Sequence, residues 1–148
     1  MRRRTHTSLG CACSVLLSLA CTVRFDLRGA RTTTMVEVDA DQAWNDTGID
    51  IREGDLLTID YLAGTWSPWP GDSYDAIGSG GDPTCRCNVL NGVSHAALLG
   101  RIGENEIFFV GDQFHHRVGE SGRLYLGIND ADLGDNSGSL QIDITLHR

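Results

Sequence analysis

The chain contains no lysine. Its 12 basic residues are all arginine and they face 20 acids, giving a formal charge of −8 over 148 residues. Neutralising phosphate takes clustered Lys or Arg, so this balance excludes a nucleic-acid partner and argues equally against adsorption to anionic lipid. A strongly acidic surface suits a solvated exterior domain and favours capture of a divalent cation.

Long apolar runs are missing too. The nearest approach is "MRRRTHTSLGCACSVLLSLAC", in which Arg2, Arg3 and Arg4 precede a short apolar run ending at Ala20. That run is too short to anchor a helix across a bilayer, and its layout is that of a secretory signal peptide. Residues 1–20 are therefore expected to be a leader. "LSLAC" is similar to a bacterial lipobox, which would make Cys21 the acylated mature N-terminus, although Ser18 stands where that pattern has Leu. The expected location is outside the cytoplasm, as an envelope lipoprotein or a secreted protein. A lipid on Cys21 would be the one route to a membrane. Three of the 12 arginines lie in the leader, so the chain from Cys21 onward carries nine against 20 acids, a charge of −11.

Cysteine is scarce beyond that point. Cys85 and Cys87 in "PTCRC" are the remaining pair. Export permits a disulfide, but a C-x-C bridge closes a very small ring, so bridged and free states both stay open. A zinc site needs about four ligands, and His95, His115 and His116 offer weak support.

Catalytic signatures are also absent. Ser94-His95 has no G-x-S-x-G context. Adjacent His115 and His116 would point to opposite faces of a strand. No two carboxylates are paired as a glycosidase requires, and no glycine loop opens a helix to cradle phosphate. The chain reads as a binding protein and not as an enzyme.

What the sequence does hold is glycine and alternation. Its 18 glycines punctuate short strand-like runs, and no stretch sustains an amphipathic helix of about 12 residues. "TVRFDLRGARTT" lacks a period, and residues 21–34 read as a tether. "MVEVDA" begins a domain spanning 35–148. "DTGIDIREGDLLTIDYLAGTW" reads as two strands with a turn at Gly54-Asp55, and "AALLGRIG", "EIFFVG", "GRLYLGIND" and "GSLQIDITLHR" follow. Residues 67–93 form a long loop rich in Gly, Pro and Asp, a kind that usually carries function. The pattern predicts an all-β sandwich with a core of Trp44, Ile49, Ile51, Leu57, Ile59, Leu98, Leu99, Ile102, Phe109, Leu124, Leu126, Ile128, Leu140, Ile142 and Ile144.

One bend stands apart. "GINDADLGDNSGS", residues 127–139, gathers Asn129, Asp130, Asp132, Asp135 and Asn136 between two strands. Such residues favour turns through Asx hydrogen bonds. They are also hard oxygen donors of the kind calcium takes six to eight of, beside backbone carbonyls. The pattern is not an EF-hand loop, and composition alone leaves turn and metal site both open.

The order of motifs adds a resemblance. "WNDTGIDIREGD" at 44–55, "LAGTW" at 62–66, "AALLGRIG" at 96–103 and "LYLGINDADLGDNSGS" at 124–139 together resemble the calcium-dependent galactose-binding bacterial lectins of the PA-I type, over about residues 36–146. The resemblance implies a jelly-roll-like β-sandwich, galactose-binding-domain-like, holding one Ca2+. Carried across, the ligands are the side chains of Asp130, Asp135 and Asn136, a carbonyl at Asp132 or Leu133, and a carbonyl near Trp69. The spacer "ADLG" is two residues shorter than in the best-known member, and Asp135 stands where that lectin has Asn. A sugar would bind through the calcium and touch Asp130, Ala131 and Asp135. Trp66, Trp69 and Tyr74 are the aromatics available to stack on a pyranose. The family's sugar-contacting His and Gln have no counterpart in the long loop, so a galactose-like or broader specificity is implied, with homo-oligomerisation or crowding supplying avidity. The rival reading is an envelope interaction module in which calcium only orders loops.

Overall fold

The computed structural model of the protein describes residues 29–148. The expected leader, Cys21 and most of the expected tether lie outside the described residues. Eight strands form: β1 (Arg31–Asp39), β2 (Asn45–Ile51), β3 (Leu56–Ser67), β4 (Leu98–Ile102), β5 (Phe108–Phe109), β6 (Gln113–Arg117), β7 (Gly122–Ile128) and β8 (Ser137–His147). They make two four-stranded antiparallel sheets, ordered β1-β8-β3-β6 and β2-β7-β4-β5. Among the described residues there is no helix. The all-β sandwich predicted from alternation is the fold.

β2, the first half of β3 and the middle of β8 show the period-2 burial that puts alternate side chains on one face. In β8, Leu140, Ile142 and Ile144 are buried, and they meet Leu57 and Ile59 of β3 within the same sheet. Leu98, Ile102, Leu124, Leu126 and Ile128 of the second sheet join the same core cluster. Burying each such side chain contributes about 1.5–3 kcal/mol, so the sandwich interior is where stability comes from.

Three expectations need correction. The domain starts before Met35: β1 begins at Arg31, where Thr32–Thr34 pair with Leu146–Ile144 of β8. The Thr33 and Thr145 hydroxyls are 2.9 Å apart. An edge strand buries little, so its polar Thr run gave no apolar signal. Phe109 is 43% exposed; in the two-residue β5, Phe108 takes the inward position and stacks 4.7 Å from Phe114. Trp44 is only half-buried, with the Arg101 guanidinium 4.7 Å above its ring.

Two glycines let β3 and β8 meet closely beside the polar bend. Gly138 has φ +83°, and a Cβ there would lie 2.5 Å from the Thr65 carbonyl oxygen. Gly64, φ +95°, would press a Cβ to 2.4 Å from the Ser139 carbonyl oxygen. A side chain at either would force the strands apart, so the glycine that ends the bend's "NSG" is a packing requirement of the β3–β8 ladder.

Candidate functional site

The polar bend joins β7 to β8 at one end of the sandwich, and the long loop between β3 and β4 folds against it. Asn129 explains why. It is fully buried, and every hydrogen bond its side chain makes goes to that loop. Its Oδ1 accepts from the Leu90 N–H at 2.8 Å. Its Nδ2 donates to the carbonyls of Ser94 (3.0 Å), Leu90 (3.1 Å) and Val93 (3.4 Å). The main chain adds two more ties: Ala96 N–H to Asn129 O at 3.1 Å and Ala131 N–H to Cys87 O at 2.7 Å.

Asp130, next in sequence, is only 5% exposed. Its Oδ1 accepts the Asp132 N–H at 3.0 Å, an Asx turn that starts the bend. Its Oδ2 lies 3.9 Å from Nε2 of His95, which is 2% exposed. Burial pushes the Asp130 carboxyl above its ordinary value, opposed by the Asp132 N–H and by His95, and reinforced by the neighbouring acids Asp135 and Asp132.

His95 is held on three sides. Its Nδ1 is 2.8 Å from Asn88 Oδ1. The Asn88 amide nitrogen donates to the Asp82 carbonyl, so Oδ1 must be the atom facing His95 and Nδ1 carries the proton. Nε2 is therefore the nitrogen turned to Asp130. Trp69 lies flat on the imidazole, with centroids 5.0 Å apart and planes 7° off parallel. Cys87 Sγ sits 3.5 Å from Nδ1, and Cys85 and Cys87 are joined in a disulfide. The C-x-C pair is thus bridged. In sequence, His95 stands 35 residues from Asp130, and only the fold brings them together.

Asn136 closes the bend. Its Nδ2 donates to the Ala40 carbonyl at 3.1 Å, which aims Oδ1 inward. That oxygen is buried and accepts no hydrogen bond from the described residues. An acceptor buried without a donor costs about 1–3 kcal/mol, and a cation is one partner that would satisfy it. An open polar cleft of about 460 Å³, lined by Asp39, Asp41, Gln42, Asn136 and Ser139, runs along the outside.

The other expected residues are less uniform. Asp132 and Asp135 are exposed, and Asp132 Oδ1 accepts the Gly134 N–H at 3.2 Å. Among the described residues no three His, Cys, Asp or Glu side chains gather as a metal-holding group. The bend fits calcium only through mixed donors, amide and main-chain oxygens beside a carboxylate, and this is the donor set calcium accepts. The Trp69 carbonyl accepts from the Ser67 hydroxyl, leaving it a second lone pair. Ala131 and Asp135 are exposed at the bend.

Among the aromatics, Trp66 is a correction. It is 1% exposed, and its Nε1 donates to the Ala96 carbonyl at 2.8 Å. It is a core residue and no sugar can stack on it. In sequence it sits next to the loop where its neighbours emerge, but its position on β3 faces inward. Tyr74 is half-buried, bridged by its main chain to Trp66 and meeting Trp69 edge-on at 6.2 Å.

No family model and no curated protein matches the sequence. Solved structures do match. One is the N-terminal domain of EclA, described as a PllA-like lectin; it is similar with a TM-score of 0.59 at 22% identity, over 76% of this chain and 94% of that one. This chain has the β-sandwich fold of a PllA-like lectin domain.

Proposed function

We propose that the protein is an exported, non-enzymatic lectin domain that binds one calcium at the β7–β8 bend and carbohydrate through it. The observation that carries this is the Oδ1 of Asn136, buried and without a partner among the described residues, which lies in the same bend as the buried Asp130. Asp130, Asp135 and Asn136 would hold the ion by side chain, with the carbonyls of Asp132 or Leu133 and of Trp69. When bound, calcium supplies a charge centre for neighbouring hydroxyls. The chain's own residues do the rest: Asp130 and Asp135 accept from those hydroxyls, Ala131 lies against the ring, and Tyr74 offers apolar surface beside them. Trp69 reaches the site through its stack on His95.

A rival keeps the calcium but not the sugar. Asp130 is deeply buried and both its oxygens already face partners, which favours a structural ion that orders loops. The two readings part on ligand binding. Calcium with two open positions favours a rigid pair of adjacent hydroxyls, displacing two waters at little ordering cost. With no His and Gln contacts of the family type, monosaccharide affinity is expected on the order of millimolar and broader than galactose. Isothermal titration with galactose, mannose and fucose, with calcium and again with chelator, tests this. Calcium-dependent heat for any of them supports the lectin; calcium bound and no sugar heat leaves the structural module.

A further inference from the structure

A two-sheet sandwich leaves four sheet edges, each a row of unpaired N–H and C=O groups that invites another strand. Among the described residues three of the four are blunted. The β2 edge breaks register between Asp46 and Asp50. The β5 edge is two residues long. The β6 edge is five residues long and carries His115, His116 and Arg117. The β1 edge differs: nine residues in unbroken register, with no proline and no bulge, and Met35 64% exposed in its middle.

The backbone shows which groups are free. Ala40 N–H donates to Gly138 and the Ala30 carbonyl accepts from Arg148, both on the β8 side. Strand alternation then turns the odd residues outward. Asp39 is already satisfied there, since its N–H and C=O are both bonded to the Asn45 side chain at 3.0 Å. Among the described residues, the backbone groups of Arg31, Thr33, Met35 and Glu37 remain without a partner.

We infer that this edge is a homodimer surface, on which β1 pairs antiparallel with β1 of a second copy about a two-fold axis at Thr34. That register uses the free residues and no others. Arg31 faces Glu37 of the second copy and Thr33 faces Met35, twice over by symmetry, so every free N–H and C=O finds a partner. Arg31 and Glu37 project on the same outer face, where opposite charges directly across a ladder attract. On the inner face Thr34 meets Thr34 and Thr32 meets Val36. These lie beside an open cleft of about 340 Å³ between the sheets, lined by Thr32, Thr34, Ile49, Ile144 and Leu146, which the added strand would cover. Shifting the axis to Met35 would set Arg31 against Asp39, whose backbone Asn45 already occupies.

The inference does not depend on calcium, so the test is run in chelator. Sedimentation velocity of the full-length protein over a concentration series is expected to show a monomer–dimer equilibrium. Met35→Pro removes an outward donor that β8 does not use, a placement edge strands tolerate; it is expected to leave the melting transition in place and abolish the dimer. Arg31→Glu and Glu37→Arg each set like charges opposite one another and should weaken dimerisation roughly tenfold. The double variant restores opposite charges and should restore the dimer. A monomer at every concentration overturns the inference. So does a dimer that survives Met35→Pro, or charge variants whose losses add where they should cancel.

Discussion

His95 Nε2 and Asp130 Oδ2 face each other at 3.9 Å, both buried, with the imidazole clamped between Asn88 and the Trp69 ring. Burial is the largest influence on Asp130 and raises its pKa. For an acid raised in the folded state, the stabilising contribution is present below the unfolded value, about 3.9, and is lost as pH rises through the folded value. Asp130→Asn keeps an acceptor for the Asp132 N–H and removes the buried charge. At neutral pH the calcium-free variant is expected to melt at or above the parent. In the parent, calcium affinity should begin to fall, on acidification, above the pH at which an ordinary aspartate protonates. Melts and calcium titrations across pH 3–8 check both; a calcium-free Asp130→Asn protein several degrees less stable would show that the ionised Asp130 carboxylate supports the fold.

Asn136 separates a metal ligand from a turn residue. Asn136→Ala removes one hydrogen bond to Ala40, worth about 1 kcal/mol, together with the partnerless Oδ1. If calcium binds here, saturation a hundredfold above Kd stabilises the parent by about 2.7 kcal/mol, and the variant should lose nearly all of that. Magnesium, which demands a tighter octahedral shell, should do little. Equal calcium-induced shifts in parent and variant would remove Asn136 from the site.

Asn129 should be the most costly polar substitution. Asn129→Leu strips the Leu90, Val93 and Ser94 backbone groups of their partner and forces a branched chain into a fully buried site. A loss of roughly 3 kcal/mol is expected, read by urea denaturation. A loss under about 1 kcal/mol would mean that the loop holds itself.

The two tryptophans should behave oppositely. Trp66→Phe loses the bond to Ala96 and leaves a buried carbonyl unpaired, so it should cost roughly 2 kcal/mol without touching ligand affinity. Trp69→Ala uncovers His95 and should weaken ligand binding while the global melt moves little. Calorimetry of the two side by side separates them, and a drop in affinity for Trp66→Phe matching that of Trp69→Ala would blur the distinction.

Much of the architecture could be read from alternation. The Gly54-Asp55 turn is where β2 gives way to β3, and Ile51, Leu57, Ile59 and the Leu140–Ile144 series are buried as their spacing requires. The bend was legible as a cluster of oxygens. Its mechanics were not, because Asn129 and His95 act on groups 35 to 39 residues away, a distance that no local pattern encodes. Polar Thr32–Thr34 carry the signature of a tether, and inward-facing Trp66 that of a ligand platform. Burial at an edge or beside a loop depends on what packs above, and the strand's own residues do not say.

Asn129 grips the long loop only by main-chain atoms, at Leu90, Val93 and Ser94. Every amino acid carries those carbonyls, and all but proline carry the N–H. That grip is blind to side chains, unlike the one made through His95, Asn88 and Asp130. Asn91, exposed within the gripped stretch, can change without moving the bend beneath it, which makes such positions the natural place for a scaffold of this kind to change what it recognises.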